Sequence, residues 1–360
     1  MYSKRKFYIK TLVIVLIAIA IAMAFLLLKP IMEGTKKAAM GDFLNHIGDE
    51  SSFRNFSYTM HTKDKKEITL ESDKVTEIEK NRYVFENLKS TFTLSNGDVV
   101  TILANTTKTR NGSKTKCELG GNVRLFTKSG LYMQTEKVFV DFDKKIVRGD
   151  GAIAMELSTN TNYKKKTTLK GEFFCFDFDK NILTISRAAK GNVDSNAISA
   201  GGITIYFDNI KERTVKKIDA TKNPIFVTKY YTITAKNAMT YSSKKIHADG
   251  DVVFTYHNGN KNMRVKSNDF TAIVDGNGNV SSIVANSAFT AYTANAIIEA
   301  DGGCLAGNQI SAFGNVVVIS KNGNIFGESA VFDISSGEVQ LKKSSGVVMA
   351  EDPFNRFITK

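Results

Sequence analysis

Leu119-Gly120-Gly121-Asn122-Val123-Arg124-Leu125-Phe126 is the stretch from which the rest of the chain can be read. After it come a turn signal at Ser129-Gly130 and a run from Leu131 to Phe142. A second turn follows at Asp143-Lys144-Lys145, then a restart at Ile146 that reaches Gly149-Asp150-Gly151. Within the run, Val138, Val140 and Phe142 share one face and Lys137, Phe139 and Asp141 the other. That period of two predicts a strand with one buried face. The Gly-Asn-Val signal returns at Gly191-Asn192-Val193 and Gly314-Asn315-Val316, with a variant at Gly250-Asp251-Val252. A second signal recurs with it, an apolar residue followed by Asp and a short polar turn: Phe142-Asp143, Phe178-Asp179, Phe207-Asp208, Val274-Asp275 and Phe332-Asp333. The first four are spaced by ~30 residues or about twice that, the range of one supersecondary unit in a repeat protein. The chain reads as one β-hairpin motif laid down again and again.

Composition agrees. The 360 residues include only 3 prolines but 26 glycines, with 24 Phe and 12 Tyr, a bias toward strands and tight turns. Hydrophobic residues at 42% and charged residues at 24% describe a folded protein. The net charge of +13 favours acidic partners such as nucleic acid, anionic headgroups or phosphorylated glycans. The densest positive cluster is Lys164-Lys165-Lys166, followed by Lys216-Lys217 and Lys342-Lys343, and no helix or aromatic-basic motif gathers them. Nucleic acid is therefore not an expected partner, and most lysines read as keeping solvated strands soluble and blunting edges.

Residues 1–10 are basic, and Thr11 to Leu28 is an uncharged apolar run ended by Lys29-Pro30. Its length is near the minimum for a membrane-spanning helix. Ala18-Ile19-Ala20 and Ala22-Met23-Ala24 resemble signal-peptide cleavage sites, but Phe25-Leu26-Leu27-Leu28 continues the run past both, so an uncleaved anchor is expected. The amino-terminal charges put the short tail in the cytoplasm and the bulk of the chain outside it. Residues 29–50 read as a linker with a helical turn near Met40 to Ile47. Asn55–His61, Ile68–Val75, Tyr83–Leu94 and Val99–Asn105 read as edge-type strands. From Cys117 the repeat lasts to about Met349, and 351–360 is a tail.

The carboxylates in the turns, Asp141/Asp143 and Asp177/Asp179, could be called glycosidase-like pairs. Each pair ends a strand just before Lys or Lys-Asn, where Asp caps a turn through the local backbone. No GxSxG, P-loop or HExxH motif is present. Cys117, Cys175 and Cys304 lie far apart and form no metal motif or selected disulfide. His247 and His257 are expected on neighbouring strands, facing solvent. No enzyme activity, metal or cofactor is expected.

The order of a short tail, an anchor, a linker and strands leading into Leu119-Gly120-Gly121-Asn122-Val123 resembles LptC, the anchored component of the lipopolysaccharide transport bridge. Leu131–Glu136, Asp141–Val147 and Gly149-Asp150-Gly151 are similar to that family's ending. From about Arg187 the chain resembles the LptA/OstA type, through Ala188–Val193, Thr234–Tyr241 and Ile246–Val252. The resemblance covers roughly residues 5–350 and departs from LptC proteins in length. It implies five parts: a tail and transmembrane helix at 1–28, a linker at 29–50, an LptC-like β-jellyroll at 51–186, an LptA/OstA-like one at 187–350, and a tail at 351–360. The fold expected is mainly β, an extended open antiparallel β-jellyroll (a β-taco) of stacked hairpins behind the anchor helix.

The family implies a single-pass inner-membrane protein with most of its chain in the periplasm, passing lipopolysaccharide along a protein bridge. Its implied partners are lipopolysaccharide, an inner-membrane ABC transporter that supplies the energy, and other jellyroll bridge proteins joined by edge-strand pairing near Asn55–His61 and Gly346–Ala350. Lipid A acyl chains are expected to contact Val138, Val140 and Phe142; Phe174, Phe176 and Phe178; Ile203, Ile205 and Phe207; and Val252, Phe254 and Tyr256. These sets would line one continuous face. The opposite-parity positions Cys175, Thr204 and Thr255 should face away. The rival reading is an anchored β-solenoid scaffold or adhesin with a packed core and no lipid. A β-helix polysaccharide enzyme is a third. Alternation suits a hollow groove and a packed core alike.

Overall fold

The computed structural model describes residues 52–342, apart from the short segments 62–66, 80–81, 95–96, 111–112, 159–165, 194–195, 210–213, 243, 259–260, 276–279 and 322. The expected anchor Thr11–Leu28, the helical turn at Met40–Ile47, the strand-pairing segment Gly346–Ala350 and the tail lie outside the described residues. Those residues fold into strands and turns, and no helix among them is long and apolar enough to cross a membrane.

The first nine strands are β1 Ser52–His61, β2 Glu67–Glu79, β3 Arg82–Thr93, β4 Val99–Arg110, β5 Ser113–Thr127, β6 Leu131–Asp141, β7 Ile146–Ser158, β8 Lys166–Asp177 and β9 Ile182–Val193. Shorter ones follow: β10 Asn196–Ala200, β11 Gly202–Asn209, β12 Thr214–Thr221, β13 Ile225–Val227, β14 Tyr231–Thr234 and β15 Ala238–Ser242. The last are β16 Lys245–Asn258, β17 Lys261–Val274, β18 Val280–Ala285, β19 Phe289–Tyr292, β20 Ala296–Ala300, β21 Gly302–Ala306, β22 Gln309–Ser320, β23 Gly323–Asp333 and β24 Val339–Lys342. Every pairing is antiparallel. Strands β2, β3 and β4 pair on both sides, so they are interior strands rather than the edges expected from their polar faces.

Each long strand bends once, and the bend divides the stack into two facing wings. In β5 the register slips between Gly120 and Val123, where Gly121 and Asn122 have φ of 70° and 52°. In β16 it slips between Asp249 and Val252, and in β22 between Phe313 and Val316. An extra residue in the left-handed region is a bulge that turns a strand, and Gly and Asn enter that region at least cost. Three of the four Gly-Asn-Val-type signals are therefore corners in the middle of strands, not hairpin turns. The fourth, Gly191, stands near the end of β9, where a Cβ would lie 1.9 Å from the Thr168 carbonyl oxygen; close packing requires the glycine there. The turn reading holds at Asp143, Asp179 and Asp333, whereas the turns after Asp208 and Asp275 lie outside the described residues. Asp141 and Asp177 accept from the amides of Lys144 and Lys180 at 3.1 and 3.0 Å.

Wing I contains β11, β12, β15, β18, β21 and β24. Wing II contains β10, β13, β14, β19 and β20. The bent strands contribute one half to each. Pairings close an eight-stranded ring, β9–β10–β13–β14–β16–β15–β12–β11. Two of its strands cross the corner, and the other six are three chain passes split there. Hydrogen bonds lace the corner inside that ring: the Gly201 amide donates to Lys222 at 2.8 Å, Lys222 to Asn237 at 2.9 Å, and Asn237 to Asp249 at 3.1 Å. Corners on the returning strands use buried hydroxyls. Ser72 Oγ donates to the Glu86 carbonyl at 2.6 Å and Thr135 Oγ1 to that of Ala152 at 2.8 Å. Those bonds satisfy carbonyls that the slipped ladder would leave open.

One apolar core runs between the wings from Met60 to Phe332. The expected boundary at 186/187 falls inside β9, beside its corner residue Ala188, and the stack continues through it.

Candidate functional site

The interior is built from two rows of side chains, one per wing. On wing I the register runs Cys117, Val140, Val147, Phe176, Leu183, Ile205, Ile218 and Tyr241. It continues through Ile246, Ala272, Ile283, Leu305, Ile310, Phe332 and Val339. On wing II it runs from Ile102 through Leu125, Met133, Met155, Leu169, Gly191, Ile198 and Phe226. Ile233, Phe254, Val265, Ala291, Ile298 and Val318 complete it. With strands about 4.8 Å apart, the wing I row is about 65 Å long. No charged side chain interrupts either row.

The residues expected at the groove all point into this interior. Val138, Val140, Phe142, Phe174, Phe176, Phe178, Ile203, Ile205, Phe207, Val252 and Phe254 are buried, and Tyr256 is partly buried against them. Cys175, Thr204 and Thr255 face outward and are half-exposed, so the parity reading is correct. The sets do not line one face, however. The nine residues from Val138 to Phe207 belong to wing I, whereas Val252, Phe254 and Tyr256 belong to wing II and look back at wing I.

Aromatic rings join the wings. Phe92 of wing II meets Phe142 and Phe178 of wing I edge-on, with centroids 5.7 and 6.3 Å apart. Phe254 meets Phe270 at 6.4 Å, Phe226 stacks on Tyr241 at 5.3 Å, and Phe56 meets Phe85 at 6.0 Å. Sequence reasoning missed these counterparts on the opposite wing. Alternation could have flagged Phe92, in step with Ser90 and Leu94, but Phe226 sits in an unbroken apolar triplet with no period. Among the described residues the interior is packed, its core side chains at 6% exposure or less. A cavity between Ile102, Val138 and Phe174 measures about 10 Å³, room for about one water against the ~300 Å³ or more of a ligand pocket. Ser90 Oγ and Thr107 Oγ1 are buried without a hydrogen-bond partner.

The mouth, where the wings end, is polar. On wing I, Lys145 Nζ lies 3.1 Å from both carboxylate oxygens of Asp179, and Thr115 Oγ1 donates to Asp143 at 2.9 Å. On wing II the buried Asp98 accepts from Ser129 Oγ at 2.5 Å and from its amide at 3.2 Å. Lys128, Lys144, Lys180 and Lys229 are exposed in the turns of both wings. Burial pushes the Cys117 thiol up to about 12 and the Tyr231 phenol well above its usual range, Tyr231 also feeling Tyr241 and Asp275. All three cysteines are free. His247 and His257 share β16 rather than lying on neighbouring strands; they face Thr271 and Thr232 at 3.1 and 3.0 Å. Among the described residues no cluster of three or more His, Cys, Asp or Glu could hold a metal. In comparisons with known proteins, no family model and no curated protein sequence matches this chain.

Proposed function

We propose that this chain is a non-enzymatic carrier of lipopolysaccharide, anchored in the inner membrane by Thr11–Leu28 and exposed to the periplasm. The observation that carries the reading is the pair of facing apolar rows, continuous through nearly the whole described stack. Acyl chains recognised by burial alone need such a surface, each methylene contributing about 0.8 kcal/mol. The wings part at the mouth and pivot at the corner. Opening breaks ring contacts such as Phe92–Phe142, each worth about 0.5–1.5 kcal/mol beyond area burial, while the hydrogen bonds along the corner persist. The exposed lysines at the mouth then meet lipid phosphates. Partners add strands at the ends of the stack, where β1 and β24 each pair on one side only among the described residues. An ABC transporter supplies the energy.

The filled interior favours a second reading, an anchored scaffold whose core never opens. One experiment separates them. A photo-crosslinking amino acid at Phe176, Ile205 or Phe254 captures lipopolysaccharide in cells on the carrier reading, and the same probe at Cys175, Thr204 or Thr255 captures far less. A folded protein with no lipid adduct at any inward position sinks the carrier and leaves the scaffold.

A further inference from the structure

The two wings differ on their outer faces. Wing I neutralises many of its charges locally: Lys74 with Glu86, Lys116 with Asp141, Lys137 with Glu118 and Lys217 with Asp219 lie 2.7–3.8 Å apart, and Arg187 meets Glu172 at the corner. Between β5 and β17 wing II does not. One outward row crosses it from β5 to β17 and carries Arg124, Lys170, Lys190 and Lys266, with Gln134, Ala154, Ser199, Ile225, Thr234 and Val253 between them. No carboxylate stands in this stretch; the row reaches Glu71, paired with Lys89, only beyond its β5 end and Glu299 only beyond Lys266, while Glu156 and Glu172 flank Lys170 in the rows on either side.

Lys170 and Lys190 stand directly opposite each other on β8 and β9, and among the described residues neither has a carboxylate within 4.0 Å. Like charges placed opposite on neighbouring strands repel. The pair opens onto a concavity of about 400 Å³ whose far wall is Ile225 and Val227, 39% and 38% exposed. Phe126 and Tyr132, each 37% exposed, extend the apolar component toward β5 and β6.

We propose that the outer face of wing II lies against an anionic lipid surface, with a headgroup phosphate between Lys170 and Lys190 and Ile225 and Val227 entering the interface. Unpaired cations draw the face to the surface, and exposed aliphatic and aromatic side chains among them suit the headgroup boundary. An acidic protein could also match this face, and a V227W response that does not depend on phosphatidylglycerol would point to it. The inference goes beyond the carrier reading and stands even if the interior never opens.

The chain contains no tryptophan, so a single V227W substitution in the full-length protein reports from this face alone. The protein is assembled with nanodiscs of phosphatidylcholine, with or without phosphatidylglycerol. Emission of V227W is expected to shift blue only when phosphatidylglycerol is present and to return with added salt. K170E/K190E and the milder K170Q/K190Q, with unchanged circular dichroism, abolish the shift; neutralising each lysine lowers the docked-to-free ratio about fivefold. I273W, on the outer face of wing I, stays insensitive to lipid. Emission that ignores phosphatidylglycerol overturns the proposal. So does an equal shift at I273W. A V227W response to inorganic phosphate in pure phosphatidylcholine also overturns it, because it marks a small-anion site rather than a membrane face.

Discussion

Lys145 in one turn of the mouth reaches the carboxylate of Asp179 in the next, 3.1 Å from each oxygen. The lysine side chain is 7% exposed and the aspartate 46%. The Phe178 amide also donates to the Lys145 carbonyl at 3.1 Å, so backbone and side chains tie the two turns together. D179N leaves an ammonium nearly buried beside a neutral amide. Urea denaturation should show a loss of about 1–2 kcal/mol, below the value for a fully buried pair because Asp179 is half in water. D143N keeps an oxygen for Thr115 and should stay within about 0.5 kcal/mol. Equal losses for both would mean the ion pair does not tie the turns.

The corners give a backbone prediction. At Gly250, φ is 82° and a Cβ would stand 2.5 Å from the side-chain amide of Asn237. G250A should lower stability by about 1–3 kcal/mol. N122G, at a position with φ of 52°, should change it by no more than about 1 kcal/mol. Thermal melts of the two variants test the corner assignment, and a neutral G250A would refute it.

Phe173 and Phe176 separate the faces of one strand. Phe176 is fully buried and packs 4.1 Å from Phe178, whereas Phe173 is 41% exposed beneath Arg187. F176A should destabilise by about 3–5 kcal/mol, and F173A by no more than about 1 kcal/mol. Denaturant midpoints of comparable size would show that the register is misread.

Cys117 supplies a pH dependence. Burial raises its folded-state pKa from 9.0 to about 12. The folded state therefore favours the neutral thiol. The stability linked to this group is fully present below pH 9 and declines as pH rises toward 12. The stability difference between wild type and C117A should be flat below pH 9 and shrink above it. Near neutral pH, iodoacetamide should label the half-exposed Cys175 and Cys304 and reach Cys117 only after unfolding. Rapid labelling of Cys117 in the native protein would contradict its burial.

Much of this structure was legible in the chain. Val138, Val140 and Phe142, like Phe174, Phe176 and Phe178, declared an inward face because side chains alternate across a strand. Phe142-Asp143 and Phe178-Asp179 marked the ends of hairpins, where the preceding Asp141 and Asp177 close each turn through the backbone three residues on. These are local effects, carried by a few consecutive residues. Strand content, the parity of each strand and most of the places where the chain reverses are thus encoded locally.

The remaining features arise from pairings between distant strands. Gly120-Gly121-Asn122 has the composition of a turn, and only the pairing with β6 on one side and β4 on the other makes it a corner within a strand. Alternation assigns Val140 and Phe254 to an inner face but carries no information on which wing holds it, since a bend changes the sheet while the period continues. The meeting of Phe92 with Phe142 and Phe178 joins residues 50 and 86 positions apart, and no local pattern encodes such a contact. The same holds for Lys170 opposite Lys190: each is an ordinary solvated lysine in the sequence, and only the register of β8 on β9 places their charges side by side.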